Sequence, residues 1–152
     1  MTFVVDRLGP EDLDLGLRLS TQAGWNQVAG DWKRVLDLCP EGCLAGRLDG
    51  ALVATGNVAA ISPKIRWIGM ILVDEAFRGR GYGSIMMDRC LEIARRSGDE
   101  IVGLDASDLG RPVYLKKGFV DVAPIDRWSG VLSVEGDPRE VVRLDLRSFG
   151  PM

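Results

Sequence analysis

The apolar and polar residues of the chain recur with two different periods, which predict strands and helices in turn. Strand patterns occur in the segments TFVVDRL, CLAGRL, ALVATGNVAAI, IRWIGMILV and IVGLDAS. The dipeptide Asp49-Gly50, between the second and third of these, favours a two-residue hairpin. IRWIGMILV is apolar almost throughout, which is typical of a strand inside a sheet rather than at its edge.

Four segments with helical spacing accompany these strands. The first begins at Gly9-Pro10, and we expect Asp31 to cap the second, which Pro40 ends. The third follows a glycine-rich turn, and the fourth is the segment GRPVYLKKGF. The buried face of the third helix is predicted at Met86 or Met87, Cys90, Leu91 and Ala94.

Two further strand patterns, VDVAPIDRW and EVVRLDLRS, close the chain around Gly136-Asp137-Pro138. The predicted order is strand, helix, helix, three strands, helix, strand, helix and two strands. Because strands and helices do not alternate strictly, we expect a sheet with both parallel and antiparallel pairs. No internal repeat or linker-like composition is present, so the sequence predicts one domain over residues 1–152.

Composition and charge narrow the function classes. Of the 152 residues, 46% are hydrophobic and 27% are charged, as in ordinary globular proteins. A formal net charge of −3 argues against a nucleic-acid or membrane-surface partner. The segment MTFVVDRLGPEDL lacks the pattern of a signal peptide, and no apolar run reaches the roughly 18 residues of a membrane span. We therefore expect a cytoplasmic protein.

Histidine is absent, and the chain has three cysteines, Cys39, Cys43 and Cys90. A structural zinc site needs about four thiolate or imidazole ligands, so we expect no metal. The odd number of cysteines argues against a disulfide framework, and all three are interpreted as small core or loop residues. Without an imidazole, a Ser-His-Asp triad is excluded.

The segment VDEAFRGRGYGSIMM holds three glycines and two arginines within six residues at a strand-to-helix turn. Such a turn can bind an anion through the first amides of the helix, or it can be a plain turn with permissive glycines. The P-loop pattern fails because no lysine follows these glycines. The dinucleotide fingerprint fits only at Gly79 and Gly81, because Ser84 stands where its third glycine belongs.

The spacing Arg78-x-x-Gly81-x-Gly83 resembles the acyl-CoA signature of the GNAT superfamily of N-acetyltransferases. WIGMILVDEAF looks like the family's fourth strand, and GRPVYLKKGF looks like its second motif, a helix that carries a tyrosine and ends in Gly-Phe. The element order also matches, so the resemblance covers nearly the whole chain and points to a bacterial single-domain branch. It implies a mixed α/β fold, the GNAT fold, with a mostly antiparallel central sheet of six to seven strands and about four helices.

The resemblance further implies acetyl-CoA as co-substrate, with pantetheine along the fourth strand and pyrophosphate on the glycine turn. Glycine is needed there because a side chain would block the approach of the phosphates. The implied cofactor-binding residues are Ile71, Leu72, Val73, Arg78, Gly79, Arg80, Gly81, Tyr82, Gly83, Ser84, Asp108 and Lys117. Asp108 stands where many relatives have an asparagine.

The expected reaction is direct attack of a primary amine on the thioester. A protonated alkyl amine, whose pKa is near 10.4, must first lose a proton, and the departing thiolate must gain one. Tyr114 matches the tyrosine that protonates the CoA sulfur in many relatives, although its ring could simply pack. The glutamate that many relatives carry on the fourth strand is absent. Asp105 could relay the proton through water, or it could cap the following loop.

Candidate acceptor-binding residues are Trp25 and Asn26 after the first helix and Asn57 on the third strand, with Trp128 on the late hairpin. Trp32 has the helical spacing of a core residue. The expected partner is a small-molecule or peptide amine, with no nucleic acid and no membrane, and a homodimer stays open. A non-catalytic acyl-CoA-binding or protein-interaction module is the alternative. The missing strand-four acid favours that module, whereas Tyr114 and the complete glycine signature favour the enzyme.

Overall fold

The computed structural model describes residues 1–126, which form five strands and four α-helices. The strands are β1 Phe3–Arg7, β2 Cys43–Leu48, β3 Ala51–Ser62, β4 Ile65–Val73 and β5 Ile101–Leu104. The helices are α1 Leu13–Gln22, α2 Ala29–Leu38, α3 Tyr82–Arg96 and α4 Arg111–Lys116. Their order is the predicted one, and all of them lie within the compact unit Met1–Val122. None of these helices is both long and apolar enough to cross a membrane.

The strands form one mixed sheet in the order β1-β2-β3-β4-β5. The first three pairs are antiparallel, and β4 pairs with β5 in parallel. The mixed α/β fold is therefore confirmed, and β4 lies inside the sheet as its apolar sequence predicted. The hairpin between β2 and β3 turns at Asp49 and Gly50, whose positive φ angles of 48° and 89° suit a two-residue turn.

The described residues supply five strands, where six to seven were expected. The predicted strand VDVAPIDRW is wrong for residues 120–126, which form neither helix nor strand. Pro124 lies within them and has no N–H for a strand ladder. The end of that segment, with Trp128, and the predicted strand EVVRLDLRS lie outside the described residues. The expectation of one domain stays a prediction, because the contacts divide the chain at residues 122 and 123.

The start of α2 differs from the prediction. The helix begins at Ala29, so Asp31 is its third residue rather than its cap. The Asp31 carboxylate accepts the backbone N–H of Val28 at 3.0 Å. The N-cap residue is Val28, three positions before the predicted cap, and Asp31 satisfies its free N–H from inside the first turn.

Two hydrophobic clusters lie on opposite faces of the sheet, because neighbouring strand residues point to opposite sides. On one side, Leu44 of β2 and Ile68 of β4 pack with α3 and α4, and we call this the α3 face. On the other side, Ala45 of β2 and Leu72 of β4 pack with α1 and α2, and we call this the α1 face. Trp32 is 1% exposed in the second cluster, as its spacing predicted.

An ion-pair network ties the start of α1 to the sheet on the α1 face. Arg47 of β2 donates two hydrogen bonds to the Asp12 carboxylate, at 3.0 and 2.7 Å, and also contacts Asp6 of β1. Burial alone would raise the pKa of the Asp12 carboxyl, but hydrogen bonds from Arg47 and the Gly9 N–H outweigh it and lower the pKa below its usual value. Asp12 is 3% exposed. If its charge were removed, the Arg47 guanidinium would lose its buried anionic partner and keep only Asp6.

We expect Asp12→Asn to lower the free energy of unfolding at pH 7 by about 2 kcal/mol, measured by urea denaturation. A lowered folded-state pKa stabilises the protein above the unfolded carboxyl value of about 3.9, and this contribution is lost as the pH falls through the lowered value. The difference between wild type and variant should therefore shrink toward pH 3. Asp6→Asn, which removes an exposed partner of the same Arg47, should cost less than about 1 kcal/mol. Equal losses at pH 7 and pH 3 would contradict this account.

Candidate acyl-CoA site

The glycine-rich turn between β4 and α3 adopts a conformation that favours glycine. Gly79 and Gly81 have φ angles of 76° and 85°, in the left-handed region. A Cβ at either position would meet no atom of the described chain within 4 Å, so the space in front of this turn is open. Glycine is required here by backbone conformation and not by crowding within the protein.

The first turn of α3 offers backbone donors to that open space. Gly81 is the N-cap residue, and α3 begins at Tyr82. The amides at the start of a helix have no partners within the helix, and the helix dipole makes this end attractive to anions. Together with the left-handed glycines, they make a concave group of N–H donors of the kind that binds phosphate. Ser84 lies half-buried in this first turn.

The two arginines of the turn fold back onto its backbone. Arg78 donates through Nε to the carbonyl of Val73, the last residue of β4, at 3.1 Å. Arg80 donates to the carbonyl of Ala76 at 3.3 Å, and its guanidinium lies 5.3 Å from the centre of the Phe77 ring. Both side chains therefore shape the loop while they keep positive charge beside the donors.

A second feature lies directly before the turn, where β4 leaves β5. The parallel pairing runs only from Ile65–Ile101 to Ile68–Leu104, because β5 ends at Leu104. Residues 69–73 of β4 continue without a strand partner on that side in the described part of the chain. They include Ile71, Leu72 and Val73, and at about 3.3 Å per residue they expose roughly 16 Å of strand edge.

A β-bulge distorts the same stretch of β4. Opposite β3, the register shifts between Thr55–Leu72 and Asn57–Gly69, and Met70 has a φ of 51°. The Thr55 hydroxyl donates to the Met70 carbonyl at 2.8 Å and so supports the bulge. A non-glycine residue with positive φ and an extra unpaired residue are features that proteins often place at functional sites. No sequence signal other than the neighbouring Gly69 indicated it.

The open edge and the donor turn adjoin in space. A Cβ at Gly83 would lie 3.6 Å from a methyl group of Val73, so the first turn of α3 packs against the end of β4. An extended ligand paired with residues 69–73 would thus lead its anionic end to the amides of residues 79–84.

Tyr114 lies on α4, within the cluster of the α3 face, and is 8% exposed. Burial, and to a lesser extent the Cys90 thiol, raises the pKa of Tyr114 above its usual value, so its hydroxyl stays protonated at neutral pH. A Cβ at Gly110 would lie 2.7 Å from that hydroxyl, so the glycine makes room for the ring. Phe119 packs edge-on against the ring at 6.3 Å between centroids.

Asp105 follows the last residue of β5 and is exposed. Its carboxylate accepts the indole N–H of Trp67 of β4 at 3.4 Å. The capping of the next loop falls instead to Ser107, whose hydroxyl and carbonyl both accept the Gly110 N–H. Asp108 is exposed in the same loop.

Several other predicted site residues have side chains that contact residues outside the donor turn. Lys117 forms an ion pair with Asp88 of α3 at 2.6 Å. The Tyr82 ring stacks on Phe3 of β1 at 4.3 Å, so only its backbone N–H belongs to the donor turn. Neither contact could be predicted from the sequence, because the two residues of each pair are distant along the chain.

The predicted acceptor residues divide between the surface and the α1 face. Asn26 is exposed, and Trp25 is half-buried against the α1-face cluster. Asn57 is 7% exposed and donates its amide N–H groups to the sulfurs of Cys39 and Cys43, at 3.1 and 3.6 Å. Burial raises the pKa of the Cys43 thiol to about 12, so this thiol stays protonated. All three cysteines are free, and Cys43 and Cys90 are buried.

Asp74, which directly follows β4, was missed by the sequence reasoning. It accepts the Ala76 N–H at 3.0 Å and the Arg18 guanidinium of α1 at 2.7 Å. Burial opposes ionisation, but these two contacts outweigh it and lower the pKa of Asp74. The pair anchors α1 beside the donor turn, next to an open hollow of about 500 Å³ along α1. The residues that line the hollow are Asp14, Leu17, Arg18, Thr21 and Gln22.

Over residues 1–126, no group of three or more Cys, Asp or Glu side chains is arranged to hold a metal ion. The described site is therefore built from backbone donors, a strand edge, one buried tyrosine and one exposed carboxylate.

The sequence matches that of known proteins over most of its length. The profile of the Acetyltransferase (GNAT) family matches residues 17–119. A holothin acyltransferase from Pseudoalteromonas sp. (strain SANK 73390) is 28% identical over 120 residues. That alignment covers 78% of this chain but 40% of the relative.

Solved structures share the fold. A proposed acetyltransferase from Pyrococcus horikoshii superposes with a TM-score of 0.71 at 27% identity, over 90% of this chain and 53% of the other. The Ard1 structure from Thermoplasma volcanium has a TM-score of 0.76 at 24% identity, over 81% of this chain and 86% of the other. The chain thus spans about half or less of the length of two of these three proteins.

Proposed function

The chain belongs to the Acetyltransferase (GNAT) family, and on that premise we propose that it transfers an acetyl group from acetyl-CoA to a primary amine. The observation that carries the proposal is the junction of the open β4 edge with the donor turn of α3. The amides of pantetheine can pair with residues 69–73 as an added strand would. The pyrophosphate then meets the amides of residues 79–84, near the charges of Arg78 and Arg80.

The two candidate proton-transfer groups lie on opposite faces of the sheet. Tyr114 belongs to the α3 face. Asp105 is bonded to Trp67, which must point to the α1 face because the adjacent Ile68 points to the α3 face. A thioester in the gap between β4 and β5 would therefore have an acid on one side and a base on the other.

The reaction needs no covalent enzyme intermediate. The ammonium gives a proton to Asp105, directly or through water, and the neutral amine attacks the thioester carbonyl to form the C–N bond. A backbone N–H of β4 near Ile71–Val73, beside the bulge, stabilises the oxyanion. The C–S bond then breaks, and Tyr114 gives its proton to the CoA thiolate. The nitrogen, positively charged after the attack, loses its second proton, which returns to Tyr114 through solvent. We propose no role for a metal in these steps.

Acceptor binding is proposed on the α1 face, where Trp25 and Asn57 lie, together with the exposed Asn26. We propose a small-molecule or peptide amine as partner, a cytoplasmic location, and neither nucleic acid nor membrane as a partner. Lys117 and Asp108 lie near α4 and complete the proposed cofactor set. To bind a phosphate, Lys117 would have to break its ion pair with Asp88. Of the proposed cofactor-binding residues, it therefore depends most on a side-chain rearrangement.

A non-catalytic acyl-CoA-binding module is the second candidate, and one observation favours it. In the described residues β4 carries no acid, and the nearest candidate base, Asp105, is solvent-exposed. Such a module would bind acetyl-CoA through the same turn and strand edge but release no thiol.

The two functions are separated by a panel of amines incubated with acetyl-CoA, with free thiol as the readout. The panel should hold amino acids, polyamines, aminoglycosides and peptides, and also holothin, because one relative is named a holothin acyltransferase. We expect thiol release and an acetylated product, identified by mass, with at least one class. A reaction without acceptor is needed as control, because Cys39 is a free and partly exposed thiol that we expect a thiol reagent to detect as well. Tight acetyl-CoA binding with no product from any class would favour the module.

A further inference from the structure

The side chain of Trp67 lies against the neighbouring strand. Trp67 of β4 pairs with Gly103 of β5 in the parallel ladder. A Cβ at Gly103 would lie 2.4 Å from the indole ring, which real Cβ atoms do not allow. The ring therefore occupies the space that the glycine leaves, and any larger residue at position 103 would displace it.

The indole of Trp67 also forms a hydrogen bond and is partly exposed to solvent. Its indole N–H donates to the Asp105 carboxylate at 3.4 Å, and the side chain is 36% exposed although it lies on a strand inside the sheet. Part of the ring is thus against β5, while part of the remainder is in contact with solvent. An exposed aromatic face beside a carboxylate is the combination that binds an ammonium group.

The pair lies where the two strands separate. Trp67 is two residues before Gly69, from which β4 runs without β5, and Asp105 directly follows the end of β5. Both side chains are on the α1 face, opposite Tyr114. This is the side from which an amine would reach a thioester held in the gap.

We propose that Trp67 and Asp105 form the ammonium subsite of the acceptor. The open ring face of Trp67 holds the cation, and its N–H orients the carboxylate that takes the proton. Trp67 contacts the acceptor and positions Asp105, while Gly103 positions Trp67. The inference rests on the proposed amine acceptor and adds the residues that bind it. In the transfer, one N–H bond of the ammonium breaks and one O–H bond forms on Asp105, and no oxidant or further reactant is needed.

The test begins with binding rather than turnover, so that it does not depend on the proposed reaction. Tetramethylammonium cannot be acetylated, and its binding to the full chain can be followed by NMR titration. We expect Trp67→Leu to weaken this binding by at least tenfold, and Asp105→Asn to weaken it by about the same factor. Trp67→Phe keeps an aromatic face but lacks the N–H, and should stay within about threefold of wild type. Neutral tert-butyl alcohol should not bind.

Kinetics with an accepted amine then separate the two roles of Trp67. Trp67→Leu should raise the KM for the amine about tenfold and leave the KM for acetyl-CoA unchanged. Trp67→Phe should instead lower kcat about tenfold with little change in amine KM, because Asp105 is no longer oriented. Ile101→Ala removes exposed apolar surface from the same strand and should change neither constant.

The outcomes distinguish this inference from the proposed function. Loss of tetramethylammonium binding in Trp67→Leu, in a chain that transfers no acetyl group, would support the subsite and overturn the proposed reaction. Equal tetramethylammonium affinity in wild type and Trp67→Leu would overturn the subsite, even in an active enzyme. If Trp67→Leu does not fold, Asp105→Asn and Gly103→Ala carry the test, because both keep the tryptophan itself: the first removes the carboxylate charge, and the second displaces the indole ring. Unchanged binding in both of them would likewise overturn the proposal.

Discussion

Tyr114→Phe is expected to lower kcat by about 100-fold or more, while acetyl-CoA affinity stays nearly unchanged. The substitution keeps the ring, and therefore its edge-on contact with Phe119 and its place in the α3-face cluster. It removes only the hydroxyl that would protonate the CoA sulfur. Because burial raises the pKa of that hydroxyl, the wild-type acid should be lost only as the pH rises above the ordinary tyrosine value of about 10.

The measurement is kcat at saturating amine, under conditions where product release is not rate-limiting. Gly110→Ala is a useful second variant, since a Cβ there would displace the Tyr114 ring, and it should lower kcat in the same direction. Leu115→Ala changes an exposed residue of the same helix and should have little effect. A kcat for Tyr114→Phe within about threefold of wild type would remove Tyr114 from the catalytic residues. Such a result would mean that CoA thiolate, with a typical thiol pKa near 8.5, departs without a general acid.

Gly81→Val is expected to weaken acetyl-CoA binding by about 100-fold or more, which corresponds to roughly 2.7 kcal/mol. The added side chain would project from the N-cap of α3 into the space in front of the donor amides, where the pyrophosphate is proposed to lie. Hydrogen bonds between a charged group and backbone donors contribute about 1.5–3 kcal/mol each, so the loss of one or two accounts for this effect. Isothermal titration calorimetry with acetyl-CoA gives the affinity directly.

Gly98→Val supplies a matched control at the other end of the same helix. Gly98 also has a left-handed φ, 71° against 85° for Gly81, and a Cβ there also meets no described atom within 4 Å. Both variants should therefore lose a similar amount of stability, at least the 1–2 kcal/mol that a left-handed non-glycine residue costs. Only Gly81→Val should lose affinity. Equal affinities in the two folded variants would show that the anion does not lie on this turn.

The local elements could be predicted from the sequence because their signals are local. The Asp49-Gly50 hairpin, the helix after the glycine turn and the buried face at Met86, Cys90 and Ala94 all follow from spacing within a few residues. The start of α2 was misplaced for the same reason: an acid before an apolar run fits two positions of a first turn equally well. Residues 120–126 carried strand propensity, but a strand needs a partner that propensity does not supply.

The site was only partly predictable, because its geometry arises from contacts between distant segments. The donor turn was visible as three glycines, whereas the open edge of β4 depends on where β5 ends, which is a property of pairing. The bulge at Met70 has no local signature, and the bond from Trp67 to Asp105 joins residues of two strands. Asn57 had the correct polarity for a substrate residue, but its amide is bonded to two thiols that the fold places beside it.

Among residues 1–126, β4 has no strand partner beyond Ile68 on the β5 side, and this has a consequence for solution behaviour. A free strand edge is a template on which another chain can add a strand, and aggregation often begins at such edges. At residues 69–73 the Met70 bulge distorts the edge and hinders regular pairing, which is one of the ways in which proteins protect edges. A ligand that pairs along the same residues would protect it further and would stabilise the folded chain by mass action, by about 2.7 kcal/mol at 100 times its Kd. If the chain uses acetyl-CoA as proposed, the supply of that cofactor would affect the resistance of the protein to self-association as well as its rate of turnover.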